Sequence, residues 1–528
     1  MQNPTKPTKG NEIETTKSGS QWTETALSRL ASGTGIALFG RIFGRGFLIV
    51  GQILIARFLG PEAFGLYAIG WTMLQMGGTI APLGLDKAAI QYATRYWQLD
   101  LAGLKGTIFQ SLGLSTASGS IMALLLCLAA FPIAHDFFQN PDMTQVIRWF
   151  APAFALISVT RVIAATTRVT QTMKYATTLE DVLPSVASLV LFIALYLLGF
   201  QLTAALGSVL TAYLLSFILG IFFLKRLFPE VFSRYPKATW MVREIMSFSL
   251  PTWLAGAFTM FIIWVNRLLV GVFRPEADVG IYQASSQISL LFALILSAIT
   301  YVFSPMIANL FHRGKRHELQ ELFVISTKWG LYLSLPVFII VITAPRELLT
   351  VLFGQIYQVG APILFILAIG QLVNVASGSV GWMLMMTGHH IKWFWTTTAM
   401  LISSVIINII LTPQIGLMGA ATATSLAVCS LYIIGLVQVR RHLGFWPYDK
   451  RYRKMLLASI LSVGVVIASR YLNLDNPALR LTLTATLAIG VFGIGLFILG
   501  FDEEEGVILR HIGRRMFRNV TQEKHVNR

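Results

Sequence analysis

The sequence predicts an all-α integral membrane protein with about fourteen transmembrane helices, and three observations support this prediction. Hydrophobic residues make up 55% of the 528 residues, the mean hydropathy is +0.67, and only 12% of the residues are charged. A soluble chain of average composition would carry roughly 25% charged residues. Apolar segments of about 20 residues, the length that crosses a bilayer, recur along the chain. The large clusters of lysine and arginine fall between these segments.

The apolar segments predict six spans in each half of the chain and two more near the C-terminus. They comprise residues 32–57, 63–84, 107–131, 147–170, 179–199, 203–224, 246–273, 279–308, 323–344, 360–387, 393–412, 416–438, 454–472 and 479–500.

The distribution of positive charge predicts the topology. An even number of spans places both termini on one side of the membrane. If that side is the cytoplasm, every large basic cluster is cytoplasmic, as the positive-inside rule requires. Residues 1–31 are then a disordered cytoplasmic tail, residues 225–245 a cytoplasmic inter-lobe loop, and residues 501–528 a second cytoplasmic tail. The net charge of +17 is explained by topology, so we expect no nucleic-acid partner.

A short repeat indicates an internal duplication. Residues 59–67 and 273–282 both read Pro-Glu-Ala followed by Gly-aliphatic-Tyr, and a weaker match joins residues 203–205 to residues 419–421. The repeat predicts an N-terminal six-helix lobe over residues 32–224 and a C-terminal six-helix lobe over residues 246–438, with an additional helix pair over residues 454–500. Because the offset is six spans, a pseudo-two-fold axis along the membrane normal would relate the lobes. Two such lobes would enclose a central cavity and allow alternating access.

Four arginines stand out as charges within the predicted spans, and no carboxylate is predicted at mid-membrane depth. Each arginine at the bilayer centre costs about 2.5–3.5 kcal/mol on insertion scales. We therefore expect them to line a hydrated, strongly cationic cavity that binds substrate. The predicted cavity residues are Arg41, Arg45, Arg161 and Arg267, with Asn266 beside the last. Arg41 and Arg45 share one helix face, and Gly40 and Gly44 have the same spacing, which favours close helix packing.

Other roles remain open for these residues. Arg41 and Arg267 lie near span ends and could reach the interface as snorkelling side chains. Arg45 and Arg161 could serve structural hydrogen bonds, and Asn266 could bridge helices. Asp86 and Lys87, at the inner end of the second span, are candidate gate residues. Glu180 and Asp181 are placed at the inner end of the fifth span.

A cationic cavity selects anions, and the planar guanidinium fork suits phosphate oxygens. The expected substrate is anionic, large and amphipathic. The two cysteines and the paired histidines carry no metal-site spacing, so we expect no metal and no cofactor.

The chain resembles the polysaccharide biosynthesis flippases of the multidrug/oligosaccharidyl-lipid/polysaccharide exporter superfamily, over about residues 30–500. The resemblance is carried by four segments: Arg57-Phe58-Leu59-Gly60-Pro61-Glu62-Ala63-Phe64-Gly65-Leu66-Tyr67, Gly84-Leu85-Asp86, Gly280-Ile281-Tyr282-Gln283-Ala284, and Gly416-Leu417-Met418-Gly419-Ala420-Ala421.

This resemblance implies a V-shaped, two-lobe transporter that moves undecaprenyl-diphosphate-linked sugars from the inner to the outer leaflet. Peptidoglycan-precursor members of the family place first-helix arginines in the central cavity, and Arg41 and Arg45 match those positions. Those members also use two helices after the twelfth as a groove for the lipid tail, a part that residues 454–500 would play. Asn266 stands where some relatives carry an acidic residue.

The resulting hypothesis is a flippase for a polyprenyl-diphosphate-linked oligosaccharide in the bacterial cytoplasmic membrane. We expect a multi-pass monomer that contacts membrane lipids, with other polysaccharide-export proteins as candidate partners. The alternative is a cation-coupled multidrug exporter of the same superfamily, which would need buried carboxylates. A membrane enzyme such as a polymerase or ligase is disfavoured because the predicted outer loops are short.

Overall fold

The computed structural model describes residues 10–170, 172–472 and 474–500. All regular elements in these ranges are helical, which confirms the all-α prediction. The described chain divides into two compact units. Unit 1 contains the residues up to 59 together with residues 66–268, and unit 2 contains residues 60–65 together with the residues from 269 onward.

The helices from the first half of the chain lie mostly in unit 1. They are α1 (Gly10–Ile80), α2 (Leu85–Tyr96), α3 (Leu101–Leu128), α4 (Ala130–Pro132), α5 (Asp142–Thr167), α6 (Lys174–Thr177), α7 (Leu183–Leu197), α8 (Leu202–Leu227) and α9 (Val242–Phe273). Wider π-helical turns at Ile133–Phe137 and Thr178–Val182, and 3₁₀ turns at Arg168–Thr170 and Pro229–Phe232, join some of them. The middle of the unit is α5, which packs against α2, α3 and α8.

The remaining helices belong to unit 2. They are α10 (Glu276–His312), α11 (Arg316–Thr343), α12 (Pro345–Phe353), α13 (Ala361–Ser377), α14 (Val380–Met386), α15 (His390–Ile415), α16 (Leu417–Leu443), α17 (Tyr452–Ala468) and α18 (Pro477–Ile498). Short 3₁₀ turns lie at Gln355–Gly360 and Ser469–Tyr471. In this unit α13 packs against α10, α11 and α16, and the predicted additional helix pair, α17 and α18, packs against α11.

Local sequence explains where several helices begin. The carboxylate of Asp100 accepts a hydrogen bond from the N–H of Ala102 at 3.0 Å, and Asn476 caps α18 by accepting from Ala478 at 2.9 Å. Such caps satisfy amide groups that have no partner within the helix. Gly416 (φ 63°) separates α15 from α16 with a backbone conformation that glycine adopts without strain.

Twelve of the described helices are long and apolar enough to cross a membrane. The first of these extends over Gly40–Tyr96, where the sequence predicts two spans, and α1 is interrupted there at Gly60 (φ 79°) before Pro61. The predicted seventh span coincides with α9, a helix of 32 residues that includes the short apolar stretch Trp264–Phe273. The integral membrane class is confirmed, whereas the number fourteen stays a prediction.

Two predicted boundaries differ from the structure. Because α1 begins at Gly10, residues 10–31 are helical where the sequence predicts a disordered tail, and residues 1–9 lie outside the described residues. The sequence places the lobe boundary in residues 225–245, but unit 1 continues through α9 to residue 268. The reason is local packing, since the indole Nε1 of Trp253 in α9 donates to the carbonyl oxygen of Ile80 at 2.8 Å.

The tenth predicted span, residues 360–387, is not one continuous helix. It breaks between α13 and α14 at Gly378, whose φ is 65°. A Cβ atom at this position would lie 2.0 Å from Oγ1 of Thr327. The close approach of α11 therefore requires glycine, and the helix ends there. A hydropathy profile does not register such a break, because the flanking residues remain apolar.

The predicted inter-lobe loop is held against α3. The side-chain amide of Gln110 donates through Nε2 to the carbonyl oxygen of Thr239 at 2.9 Å and accepts through Oε1 from the N–H of Met241 at 2.8 Å. The ammonium group of Lys105 donates to the carbonyl oxygen of Ser233. A Cβ atom at Gly106 would lie 1.8 Å from the carbonyl oxygen of Thr239, so glycine allows the loop to approach.

We expect Gln110→Leu to release this loop. The substitution removes two hydrogen bonds, each contributing about 0.5–1.5 kcal/mol to stability. Limited trypsin digestion of the purified protein should then cleave several-fold faster after Arg234 and Lys237, which are both exposed. The control is Gln91→Leu, at an exposed position on α2. Equal cleavage rates for the two variants would contradict the assigned role of Gln110.

Candidate functional site

The first two predicted cavity arginines lie where α1 packs against the π-helical turn Thr178–Val182. A Cβ atom at Gly40 would lie 2.6 Å from Cγ2 of Thr177, and one at Gly44 would lie 2.5 Å from the carbonyl oxygen of Asp181. Both distances are shorter than ordinary contacts, so the two glycines let α1 approach this turn closely. The Gly40 and Gly44 spacing in the sequence predicted such packing, and the structure identifies its partner.

The close packing of α1 on this turn places carboxylates near the arginines. Nε of Arg41 lies 3.7 Å from Oδ2 of Asp181. The neighbouring carboxylate, Glu180, forms a close ion pair with the guanidinium group of Arg168. The span that carries the turn runs over Lys174–Leu197. Both carboxylates lie in the first third of this segment, near one of its ends, as the sequence predicts. The expectation that the arginines have no carboxylate partner is wrong for Arg41, which pairs with Asp181.

The third predicted arginine approaches the same turn from α5. Nη1 of Arg161 donates to Oγ1 of Thr79 on α1 at 3.1 Å. Asp181 interacts electrostatically with four arginines, Arg41, Arg45, Arg168 and Arg161. The buried Tyr213 of α8 also interacts with Arg161 and Asp181.

We call these six side chains the arginine cluster; its members are Arg41, Arg45, Arg161, Arg168, Glu180 and Asp181. Four guanidinium groups face two carboxylates, so the cluster has a formal excess of two positive charges. Two of its members are accessible, since Arg45 is exposed and the side chain of Arg41 is 41% accessible. A cluster with excess positive charge and exposed guanidinium groups has the chemistry to bind an anion.

The fourth predicted arginine lies apart from this cluster along α1. Nη1 of Arg267 lies 3.5 Å from Oγ1 of Thr72, and its guanidinium group lies 4.9 Å from the ring centroid of Trp264. Thr72 and Thr79 are seven residues apart, which corresponds to about 10 Å along a helix. Arg267 of α9 therefore contacts α1 away from the cluster, and the half-buried Asn266 lies beside it in the chain.

The two candidate gate residues are elsewhere in unit 1. Asp86 and Lys87 lie in the first turn of α2, directly after Gly84 (φ 75°). A Cβ atom at Gly84 would lie 2.5 Å from the carbonyl oxygen of Ser249, so the turn packs closely on α9. Nζ of Lys87 lies 3.5 Å from the carbonyl oxygen of Thr252. These contacts hold the corner after α1 against α9, and a gating role stays a prediction.

Sequence reasoning missed Arg168 and placed Glu180 and Asp181 at the end of a span. It also missed Lys328, which lies inside the predicted span 323–344. The side chain of Lys328 is fully buried in unit 2, with its ammonium group 5.5 Å from the ring centroid of Tyr332. A charge count within the predicted span, rather than its mean hydropathy, would have found this lysine.

The described residues offer no arrangement for a metal. They contain no group of three or more His, Cys, Asp or Glu side chains that could hold one ion. The rings of His389 and His442 stack with centroids 4.7 Å apart, and Nε2 of His442 lies 3.1 Å from Nζ of Lys392. A neighbouring ammonium group repels metal cations.

Fold and site together define a polytopic, all-helical membrane protein with a cationic cluster inside its spans. The family model described as "Polysaccharide biosynthesis protein" matches residues 30–311, just over half of the chain. The chain therefore belongs to the polysaccharide biosynthesis protein family, which confirms the resemblance found in the sequence.

Two curated relatives and one solved structure illustrate the similarity. The probable flippase AglR of Haloferax volcanii is 22% identical over 378 residues, covering 71% of this chain and 76% of that protein. The teichuronic acid biosynthesis protein TuaB of Bacillus subtilis is 23% identical over 437 residues, covering 80% and 79%. The inward closed conformation of the lipid II flippase MurJ matches with a TM-score of 0.68 at 15% identity, covering 88% of this chain and 97% of that one. At this identity the structural likeness shows the fold alone.

Proposed function

We propose that the protein is a flippase that translocates a polyprenyl-diphosphate-linked oligosaccharide across the cytoplasmic membrane for cell-surface polysaccharide export. The observation that carries this proposal is the arginine cluster, four guanidinium groups with two carboxylates on helices of an apolar, membrane-spanning unit. Membership of a polysaccharide biosynthesis family and the names of the relatives, a probable flippase and a teichuronic acid biosynthesis protein, support a flippase in polysaccharide biosynthesis.

The charge of the cluster suits a diphosphate. A diphosphate diester carries about two negative charges near neutral pH, equal in number to the excess positive charge of the cluster. Arg41 and Arg45 are four residues apart on α1 and project from one helix face, so two planar forks can bind neighbouring phosphate oxygens. Charge-assisted hydrogen bonds of this kind contribute about 1.5–3 kcal/mol each.

Translocation in this proposal proceeds by alternating access, with the arginine cluster lining a cationic cavity and the polyprenyl tail remaining in lipid. The membrane potential supplies part of the driving force. One elementary charge gains about 2.3 kcal/mol per 100 mV. Moving about two negative charges outward from a negative cytoplasm therefore gains roughly 4–5 kcal/mol at that potential.

The alternative, a cation-coupled multidrug exporter, needs buried carboxylates, and the side chains of Glu180 and Asp181 are about three quarters buried. Each of them is paired with an arginine, Glu180 with Arg168 and Asp181 with Arg41. The surrounding excess of positive charge repels organic cations. The pairing of both carboxylates with arginines therefore favours an anion-binding site over cation transport.

The same proposal includes three further points. Both termini lie in the cytoplasm, the protein is a monomer, and α17 and α18 form a groove for the lipid tail. Basic segments such as residues 225–243 support the first of these by the positive-inside rule.

Depletion of the protein in its native cell tests the function. Loss of a flippase leaves the lipid-linked oligosaccharide in the inner leaflet, because assembly continues while translocation stops. We expect extracted lipid-linked oligosaccharide to accumulate several-fold and to be protected from a glycosidase added outside spheroplasts. Normal surface polysaccharide with no accumulated precursor would contradict the proposal.

A further inference from the structure

The two carboxylates of the arginine cluster are held very differently. Glu180 forms a close ion pair with Arg168, and both side chains are about three quarters buried. Nε of Arg41 and Oδ2 of Asp181 are 3.7 Å apart, beyond the 2.7–2.9 Å typical of charge-assisted hydrogen bonds. The side chains of Arg41 and Asp181 are 41% and 26% accessible. Glu180 is thus held closely by its partner, whereas Asp181, although equally buried, makes a longer contact with a more accessible arginine.

The backbone beneath Asp181 is nevertheless fixed. Its carbonyl oxygen lies against Gly44, where a Cβ atom would be 2.5 Å away, and accepts a hydrogen bond from Oγ of Ser185 at 2.7 Å. The residue belongs to the π-helical turn Thr178–Val182, a type of turn often found at functional sites. The carboxylate can change its side-chain conformation, but its attachment point stays beside Arg41 and Arg45.

An arginine site inside a membrane has two conflicting requirements. Without a ligand, unneutralised guanidinium groups are costly at this depth. With a ligand, binding must remain weak enough for the anion to leave. A carboxylate at the edge of the site meets both requirements, because it neutralises the arginines in the empty state and competes with the anion in the bound state.

We propose that Asp181 is a displaceable internal counter-ion of the anion site. It pairs with Arg41 when no substrate is bound, and it turns away when the diphosphate of the substrate takes its place. Its return pairs Arg41 again and assists release of the headgroup. This inference rests on the proposed function, and it assigns to Asp181 the control of how tightly that site holds its anion.

The test uses the purified full-length protein and inorganic pyrophosphate, a diphosphate without lipid or sugar. Asp181→Asn removes one negative charge and keeps the side-chain size, which raises the formal excess of the cluster from two to three positive charges. We expect the Kd for pyrophosphate, measured by isothermal titration calorimetry, to fall about tenfold, equivalent to about 1.4 kcal/mol. Asp181→Glu, which retains the charge, should stay near the wild-type Kd.

The matched control is Asp278→Asn. Asp278 also pairs with an arginine, Arg274, with Nε and Oδ2 2.7 Å apart, but it lies in unit 2. This variant should leave the Kd unchanged. Asp181→Asn should also slow translocation of lipid-linked oligosaccharide in proteoliposomes despite its higher affinity, a combination that loss of structure does not produce.

The outcomes separate the inference from the proposed function. If Arg45→Ala weakens pyrophosphate binding while Asp181→Asn leaves it unchanged or weaker, the counter-ion role is wrong and the anion site stands. If Asp181→Asn does not fold, Asp181→Ser provides the same loss of charge for the same measurement. If neither the wild type nor any charge-removing variant binds pyrophosphate, both ideas are contradicted.

Discussion

Replacing Arg45 with alanine is expected to reduce export of surface polysaccharide at least about tenfold, while the amount of protein in the membrane stays unchanged. Arg45 is exposed on α1 and interacts electrostatically with Asp181. The substitution removes one guanidinium group from the proposed headgroup site, which costs about 1.5–3 kcal/mol of binding free energy. Because the side chain is exposed, folding should be little affected.

Two variants make this prediction specific. Arg45→Lys keeps the positive charge but loses the planar fork that binds two phosphate oxygens, so we expect intermediate export. Arg453→Ala removes an exposed arginine from α17 and should leave export unchanged. Equal export by Arg45→Ala and the wild type would show that Arg45 is not part of the headgroup site.

Gly65→Ala is expected to destabilise the protein strongly. A Cβ atom at Gly65 would lie 1.8 Å from the carbonyl oxygen of Glu276, and one at Gly280 would lie 2.1 Å from the carbonyl oxygen of Pro61. The two repeated motifs thus approach each other backbone to backbone within unit 2. Overpacking of such a contact costs typically 1–3 kcal/mol and occasionally more. Because the added Cβ atom would displace a backbone carbonyl group, we expect a cost near the upper end of this range.

Thermal unfolding in detergent measures the effect, and Gly46→Ala is the matched control. Gly46 lies on α1 before the interruption at Gly60, with open space where a Cβ atom would lie, so alanine there should be neutral or slightly stabilising through helix propensity. We expect Gly65→Ala and Gly280→Ala to lower the unfolding temperature by several degrees relative to this control. If all three variants unfold at the wild-type temperature, the close contact does not exist in the folded protein.

The sequence was informative where one local pattern determines the structure. The repeated Pro-Glu-Ala and Gly-aliphatic-Tyr motifs indicated an internal duplication, and their glycines are the residues that permit the close contact in unit 2. Gly40 and Gly44 predicted close packing of α1, which the structure confirms. Length and hydropathy were sufficient to predict the membrane class, because repeated apolar segments of this length are typical of membrane-spanning helices.

The sequence was less informative where contacts between residues far apart in the chain determine the structure. Hydropathy placed the start of the fifth span at residue 179, so Asp181 was assigned to its edge. The span begins at Lys174, and the turn that carries Asp181 meets Gly44 of a helix far away in sequence. The pairing of Arg41 with Asp181 thus depends on how α1 and this turn pack together, which a window of sequence does not contain.

The break at Gly378 and the extension of unit 1 into α9 have the same kind of cause. Thr327 on α11 leaves no room for a side chain at Gly378, and Trp253 attaches α9 to the end of α1. Both depend on contacts between helices. Lys328 is a different case, because its position inside an apolar segment was legible in the sequence, and only its complete burial required the structure.

The most direct test of the central claim compares two lipids in proteoliposomes that contain the purified protein. One carries a fluorescent oligosaccharide on a polyprenyl diphosphate, and the other carries the same oligosaccharide on a neutral polyprenyl glycoside. If the arginine cluster receives the headgroup, the wild type should translocate the diphosphate lipid at least about tenfold faster than the neutral one, and Arg45→Ala should remove most of that difference. Equal translocation of both lipids by the wild type would show that the positive charge of the cluster does not select the substrate.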